Sequence, residues 1–343
     1  KIIMQARLPH IDIARGIGIL LMVAGHNWII LSGKGELYRI VYSFHIPLFF
    51  VLSGIFFNYE KPLGKTLKEK LQVLLVPYFL TAGVIEMISL FFNSKINSFT
   101  NGLLWIAYGS GPHLRWVGFW FLPHLFLVSI FCWVLLGIFK TYGLNKRFQT
   151  LALSAMLVIG WFSIRSFWGI SFSGVKLNGL PFSADILLVS SFYFMLGSLA
   201  GDWIKERQFQ PVPFVIAAAV FLILHAATDF TTDLNLRRYD NLIAATALAV
   251  TGSFMVIAAS KFLAHFTAAK NILGYFGRNS LAVLIFHSFF QDNLFVFLSE
   301  YTKRYFYVGL ATFTAAMVGS ILVIEIINRV EFLGKMYGNS RPN

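Results

Sequence analysis

Residues 11–31 read IDIARGIGILLMVAGHNWIIL, and this run contains Asp12, Arg15 and His26. It is long enough to cross a bilayer. Ionisable side chains inside a span are costly, which makes them functional candidates by default. Arg15 and His26 are eleven positions apart, a spacing that returns to nearly the same helix face about 16 Å further along the axis. One span thus presents a guanidinium and an imidazole to the same interior at two depths.

Composition extends this reading to the whole chain. Of 343 residues, 57% are hydrophobic and 13% charged, with a mean hydropathy of +0.70. Soluble domains carry about 25% charged residues, so the sequence reads as an integral membrane protein. Its apolar runs are near 20 residues and largely unbroken, which means an all-α polytopic bundle rather than a barrel. The 37 Phe and 8 Trp suit lipid-facing and interface positions. No cleavable signal peptide is expected, because the first apolar run holds Arg15 and lacks a small-residue cleavage site. Cys132 stands alone, which excludes an intrachain disulfide. The net charge of +13 lies in short loops between apolar runs, so membrane topology explains it better than nucleic acid.

Ten transmembrane helices are expected, at 11–31, 39–58, 71–93, 118–139, 148–165, 184–204, 212–229, 240–259, 277–298 and 305–328. The connections are short, so one membrane domain over 1–343 is the economical reading, with no separate soluble domain. With a cytoplasmic N-terminus, the inner segments include Lys1, Arg7, Lys61, Lys65, Lys68, Lys70 and Arg341. The outer loops include Lys34, Arg39, Lys95 and Arg115. The inner set holds the larger share of the 28 Lys and Arg, which favours cytoplasmic N- and C-termini.

That orientation sorts polar residues by depth. His26, His45, Glu86, Trp120 and His124 fall in the outer half, His287 near the middle of its span, and Arg15, Ser53, Gly54 and Glu325 toward the inside. A desolvated imidazole is held neutral, and a neutral imidazole is what a general base needs. His26 equally suits an ordinary hydrogen bond between helices. Arg15 suits an anchor for a phosphate or carbonyl arriving from the cytoplasm, or simple neutralisation by Asp12 three residues earlier. Glu86 is expensive in lipid and calls for a partner such as His26 or His45. In the second span Pro47 frees a carbonyl, and Ser53–Gly54 permits close approach of a helix or a ligand. Lys61, Lys65, Lys68 and Lys70 form a juxtamembrane basic loop, suited to lipid headgroups or to an anionic co-substrate. No phosphate-binding loop, metalloprotease motif or nucleophile elbow is present. The eight histidines never fall at metal-ligand spacing within one span, so no metal is expected.

Several stretches together carry a family resemblance. They are IDIARGIGILLMVAGH with its Arg-x10-His pattern on Arg15 and His26, FHIPLFFVLSGIFF from Phe44 to Phe57, and the lysine loop ending in LLVPY at Tyr78. FWFLPHLF at 119–126 and, more loosely, RNSLAVLIFH ending at His287 complete the set. In this order the chain resembles the acyltransferase-3 superfamily of membrane O-acyltransferases, and in particular its sugar O-acetylase branch of fucose 4-O-acetylase-like proteins. Relatives often have arginines where this chain has Lys68 and Lys70, and lysine keeps the charge but loses the bidentate fork.

The resemblance implies transfer of a short acyl group, usually acetyl, from acyl-CoA to a hydroxyl of an extracytoplasmic or lipid-linked glycan. It implies a multi-pass protein of the bacterial cytoplasmic membrane, surrounded by lipid and open to homo-oligomer formation, with no nucleic-acid partner. On this scheme Arg15, Lys68 and Lys70 meet the CoA headgroup, with Ser53 and Gly54 at the donor path. His26 serves as general base, oriented by His45 or Glu86, and Trp120, His124 and His287 contact the acceptor. The rival from another class is a transporter or flippase for a glycan or lipid-linked sugar, which shares the buried polar layers.

Overall fold

A computed structural model describes residues 8–337 apart from 34, 94, 95 and 173. Lys1, Arg7, Lys34, Lys95 and Arg341, which enter the loop-charge argument, lie outside the described residues. The chain is built from helices α1 (Pro9–Gly25), α2 (Trp28–Gly33), α3 (Glu36–Gly54), α4 (Leu63–Lys70), α5 (Val76–Asn93) and α6 (Ile96–Tyr108). Then come α7 (Phe121–Thr141), α8 (Lys146–Ser163), α9 (Leu187–Leu199), α10 (Gly201–Glu206) and α11 (Pro211–Ala227). The last five are α12 (Leu242–Leu263), α13 (Thr267–Arg278), α14 (Ser280–Tyr301), α15 (Tyr305–Arg329) and α16 (Glu331–Met336). Two short antiparallel ribbons interrupt them: β1 (Trp168–Phe172) with β2 (Val175–Asn178), and β3 (Thr232–Asp233) with β4 (Arg238–Tyr239).

The protein is an all-α polytopic membrane protein. Seven helical segments among the described residues are long and apolar enough to span a bilayer. A helix lies at each of the ten expected positions, but α1 and α11 have only 17 residues each, and α8 opens on Lys146 and Arg147. The first expected span is shorter than its apolar run. Helix α1 ends at Gly25, His26 is its C-cap, and the chain turns at Asn27 into the short α2. Helix α3, by contrast, runs through Pro47 without interruption.

Helix α1 packs at the centre against α3, α12, α13 and α14. Its contact with α13 is backbone on backbone. A Cβ on Gly16 would lie 2.0 Å from the Leu273 carbonyl oxygen, and one on Gly277 would lie 1.7 Å from that of Asp12. Helices α3 and α9 meet in the same way through Gly54 and Gly197. In lipid, where apolar surface gains little by leaving the solvent, such small-residue contacts let van der Waals packing hold helices together. Elsewhere α11 and α15 turn Ile216, Ile223, Phe306 and Leu322 outward, as a lipid-facing surface requires.

Between α4 and α5 the helix widens into one π turn, Leu71–Leu75, with the Val76 N–H reaching the Leu71 carbonyl. Pro77 explains it: proline has no N–H for the carbonyl four residues back, and its ring crowds that turn. Such π turns are frequent at functional sites. This one lies directly after Lys70.

Candidate functional site

Two cavities meet the first span, one at His26 and one at Arg15. The first, of about 390 Å³, is bounded by His26, Tyr42, His45, Trp120 and Ser288, with Asp233 above them. The second, of about 280 Å³, is bounded by Arg15, Ser53, Phe56, Lys70, Phe121 and Leu284. The cavity walls come within one residue or one turn of each other on three helices: Ile46 and Phe49 on α3, Trp120 and Phe121 at the start of α7, Ser288 and Leu284 on α14. Helix α1 carries His26 to one cavity and Arg15 to the other, as the spacing in the first span predicts.

His26, at the wall of the larger cavity, is bonded to a second histidine. His26 Nδ1 lies 3.0 Å from His287 Nε2, and the two rings are nearly coplanar and edge to edge, centroids 5.2 Å apart with 19° between planes. His287 Nδ1 is 3.0 Å from the carbonyl oxygens of both Val283 and Leu284. Carbonyls only accept, so Nδ1 of His287 carries the proton and its Nε2 carries a lone pair. That Nε2 then accepts from His26 Nδ1–H and from the Ser288 hydroxyl at 3.2 Å. His26 is thereby left with an unprotonated Nε2 beside the larger cavity. This is the tautomer of a general base oriented through its other nitrogen. Here the orienting group is a second imidazole anchored to backbone carbonyls rather than a carboxylate.

The other expected site residues divide between the cavities and the scaffold. His45 lines the His26 cavity and bonds the Val41 carbonyl through Nδ1 at 2.7 Å, so His287 rather than His45 is the hydrogen-bond partner of His26. Glu86 does not face a histidine. Its carboxylate pairs with Arg115, Nε to Oε1 at 3.0 Å and Nη2 to Oε2 at 3.3 Å, because a buried acid takes the nearest guanidinium. Trp120 lines the His26 cavity. His124 lines neither; both its nitrogens are engaged, with the Phe182 carbonyl at 3.0 Å and Ser190 Oγ at 2.8 Å. That side chain fastens α7 to α9 and is not a substrate contact. His287, expected at the acceptor, is the hydrogen-bond partner of His26.

In the Arg15 cavity, Ser53 and Lys70 line the wall. Lys68 does not; it is exposed, on another face of α4. Gly54 is filled by the Phe194 carbonyl of α9, so it serves helix packing and offers no room to a ligand. Asp12 makes no ion-pair contact with Arg15, although its charge acts on that guanidinium; its carboxylate lies 3.9 Å from Arg278. Among the described residues, no acid comes within ion-pair distance of Arg15 or Lys70. Their guanidinium carbon and ammonium stand 5.7 Å from the ring centroids of Phe56 and Phe57 respectively. Unpaired cations at a cavity wall fit an anionic ligand such as a phosphorylated acyl carrier.

Tyr38 of α3, Arg115, and Asp233, Asn235 and Arg238 of the β3–β4 ribbon complete the His26 cavity. Burial pushes the carboxyl of Asp233 up from its usual range. Tyr38, Tyr42 and His45 share one face of α3 by their i, i+4, i+7 spacing, a signal readable from sequence. The loop residues give no such signal. Of the four acids Asp185, Asp229, Asp233 and Asp240, Asp233 alone lines this cavity. Asp185 is buried against Arg237, Asp229 pairs with Arg39 at 3.1 Å, and Asp240 accepts from Thr231.

The acyltransferase family model, described as an acyltransferase domain, matches residues 8–329. The chain belongs to the acyltransferase-3 family. No curated protein and no solved structure matches it at a significant level. The family makes the protein a membrane acyltransferase in the general sense, and the site just described is where this acyltransferase brings its ionisable residues together. Among the described residues, no cluster of His, Cys, Asp and Glu has the arrangement of a metal site.

Proposed function

We propose that this acyltransferase moves an acetyl group from acetyl-CoA to a hydroxyl of a glycan or lipid-linked sugar, with His26 as general base. The observation that carries the reading is that His26, bonded to His287, lines a cavity of aromatic and hydrogen-bonding side chains adjacent to a second cavity lined by Arg15 and Lys70, which have no ion pair among the described residues. Arg15 and Lys70 receive the phosphates of the donor from the cytoplasmic side, and the pantetheine arm extends along α1 toward His26. The acceptor enters the other cavity from the outer side. His26 Nε2 takes the proton of the attacking hydroxyl as its oxygen bonds to the thioester carbonyl. The tetrahedral intermediate then collapses, the C–S bond breaks, and CoA leaves as thiolate to be protonated. His287 Nε2 accepts from His26 Nδ1–H throughout and stabilises the imidazolium that forms. The membrane is the bacterial cytoplasmic membrane on this reading.

The test uses purified protein, radiolabelled acetyl-CoA and candidate glycans. Label in the glycan, lost in His26→Ala by about 10²–10⁴-fold while the variant inserts and purifies normally, is the expected result. Full activity of that variant sinks the assignment of the base. Movement of a glycan across vesicles without label transfer favours the transporter reading.

A further inference from the structure

Several serine hydroxyls inside these helices fold back onto their own backbone. Ser53, Ser129 and Ser260 each donate to the carbonyl four residues earlier at 2.7 Å, the usual alternative for a hydroxyl within a helix. Ser288 on α14 does not. The carbonyl four residues before it, that of Leu284, already receives Nδ1–H of His287 at 3.0 Å. The Ser288 hydroxyl lies instead 3.2 Å from His287 Nε2, at the wall of the His26 cavity.

That nitrogen cannot serve two donors equally. An unprotonated imidazole nitrogen accepts through a single lone pair in the ring plane, and His26 Nδ1–H reaches the same atom at 3.0 Å. In the resting site both donors are neutral and share it. Once His26 takes a proton on Nε2, its Nδ1–H belongs to an imidazolium, and charge-assisted bonds are roughly twice as strong as neutral ones. The lone pair then goes to His26. The Ser288 hydroxyl is released and can rotate toward the cavity.

Its place on α14 meets the donor. Ser280, Leu281 and Leu284 line the Arg15 cavity, and Ser288 follows Leu284 by one turn on the same face. Of the three hydroxyls on the His26 cavity wall, those of Tyr38, Tyr42 and Ser288, only that of Ser288 is one turn from a residue of the Arg15 cavity. Among the cations there, Arg115 is held by Glu86, and Arg238 belongs to the β3–β4 ribbon, which does not line the Arg15 cavity. A thioester drawn along α14 from the Arg15 side therefore brings its carbonyl to Ser288.

We propose that Ser288 is the oxyanion donor of the acetyl transfer, its hydroxyl held on His287 until His26 is protonated. The inference rests on the acetyl-transfer reading above. As the acceptor oxygen bonds to the thioester carbon, its proton passes to His26 Nε2 and the carbonyl π pair moves onto the carbonyl oxygen. Ser288 Oγ–H donates to that oxyanion. When the C–S bond breaks, the pair returns to the carbonyl, the thiolate takes the proton from His26, and Ser288 goes back to His287. The bond forms at full strength only while the charge exists, so it lowers the barrier without tightening the ground state.

The experiment follows acetyl transfer and CoA thiol release by the purified full chain with acetyl-CoA and an accepted glycan, for Ser288→Ala, His287→Ala and the double variant. Ser288→Ala should lower kcat about 10²–10³-fold, with acetyl-CoA affinity by calorimetry unchanged. In the His287→Ala background the same substitution should cost a similar further factor, because its bond is to the substrate and not to the histidine. No further loss there makes Ser288 a support for His287 and overturns the proposal, as does an undiminished kcat in Ser288→Ala. Acetylated Ser288, found by mass spectrometry after incubation with acetyl-CoA alone, overturns it too, since the hydroxyl would then be the nucleophile. Absence of CoA release from the unaltered protein with every glycan is a different failure: it ends the acetyl-transfer reading and this assignment with it.

Discussion

If His287 acts only through His26, then replacing it has a calculable cost. In the transition state His26 becomes an imidazolium, and the bond at 3.0 Å from its Nδ1–H to His287 Nε2 becomes charge-assisted. Such bonds contribute about 1.5–3 kcal/mol, and each 1.36 kcal/mol is about tenfold in rate. His287→Ala should therefore lower kcat by roughly 10- to 150-fold. The donor KM should hold, because Arg15 and Lys70 lie in the other cavity. The assay is a steady-state acetyl-transfer measurement on His26→Ala, His287→Ala and the double variant, each checked for monodisperse purification. Residues that work as a unit are non-additive. The double variant should thus be no slower than His26→Ala alone. Losses that multiply, or a His287→Ala enzyme of undiminished kcat, would refute the relay from backbone carbonyl through His287 to His26.

Arg15→Ala should weaken acetyl-CoA binding, read by calorimetry, because it removes an unpaired cation from the donor cavity; an unchanged dissociation constant leaves Arg15 a structural role. Glu86→Gln should affect acetyl transfer far less than His26→Ala does, since Glu86 is bound to Arg115 and not to the base; a loss matching that of His26→Ala places Glu86 in the chemistry. Arg237→Met leaves Asp185 buried without its counter-ion and should cost about 3–5 kcal/mol, seen as a lowered Tm in detergent, with Asp185→Leu in the same chain restoring part of it. Gly277→Val should part α1 from α13, because its side chain would collide with the Asp12 carbonyl; unaltered expression and Tm would show that the contact can be lost without harm.

Much of the bundle was legible in the residues. Apolar runs near bilayer length set where helices form, and the fixed rise per residue sets depth along each of them. For that reason Arg15 and His26, tied to one helix, line two different cavities, and Lys70 and Ser53 line the cavity of Arg15. The Pro77 ring, printed in the sequence, also accounts for the π turn after Lys70. Depth carries no information on which helices are neighbours. Glu86 and His45 share the outer level with His26, yet Glu86 turns to Arg115, and the partner of His26 comes from 261 positions away. His124 shares that level too and is spent on Phe182 and Ser190. The ribbons at 168–178 and 232–239 gave no periodic signal, being too short, and the second, which lines the His26 cavity, is fastened by one buried pair, Arg237 and Asp185. Sequence determined where the helices form and how far apart Arg15 and His26 stand along the first of them. Only tertiary packing decided that an imidazole on α14 would fix the tautomer of His26, because azimuth and adjacency follow from glycine contacts between distant helices and not from distance along the chain.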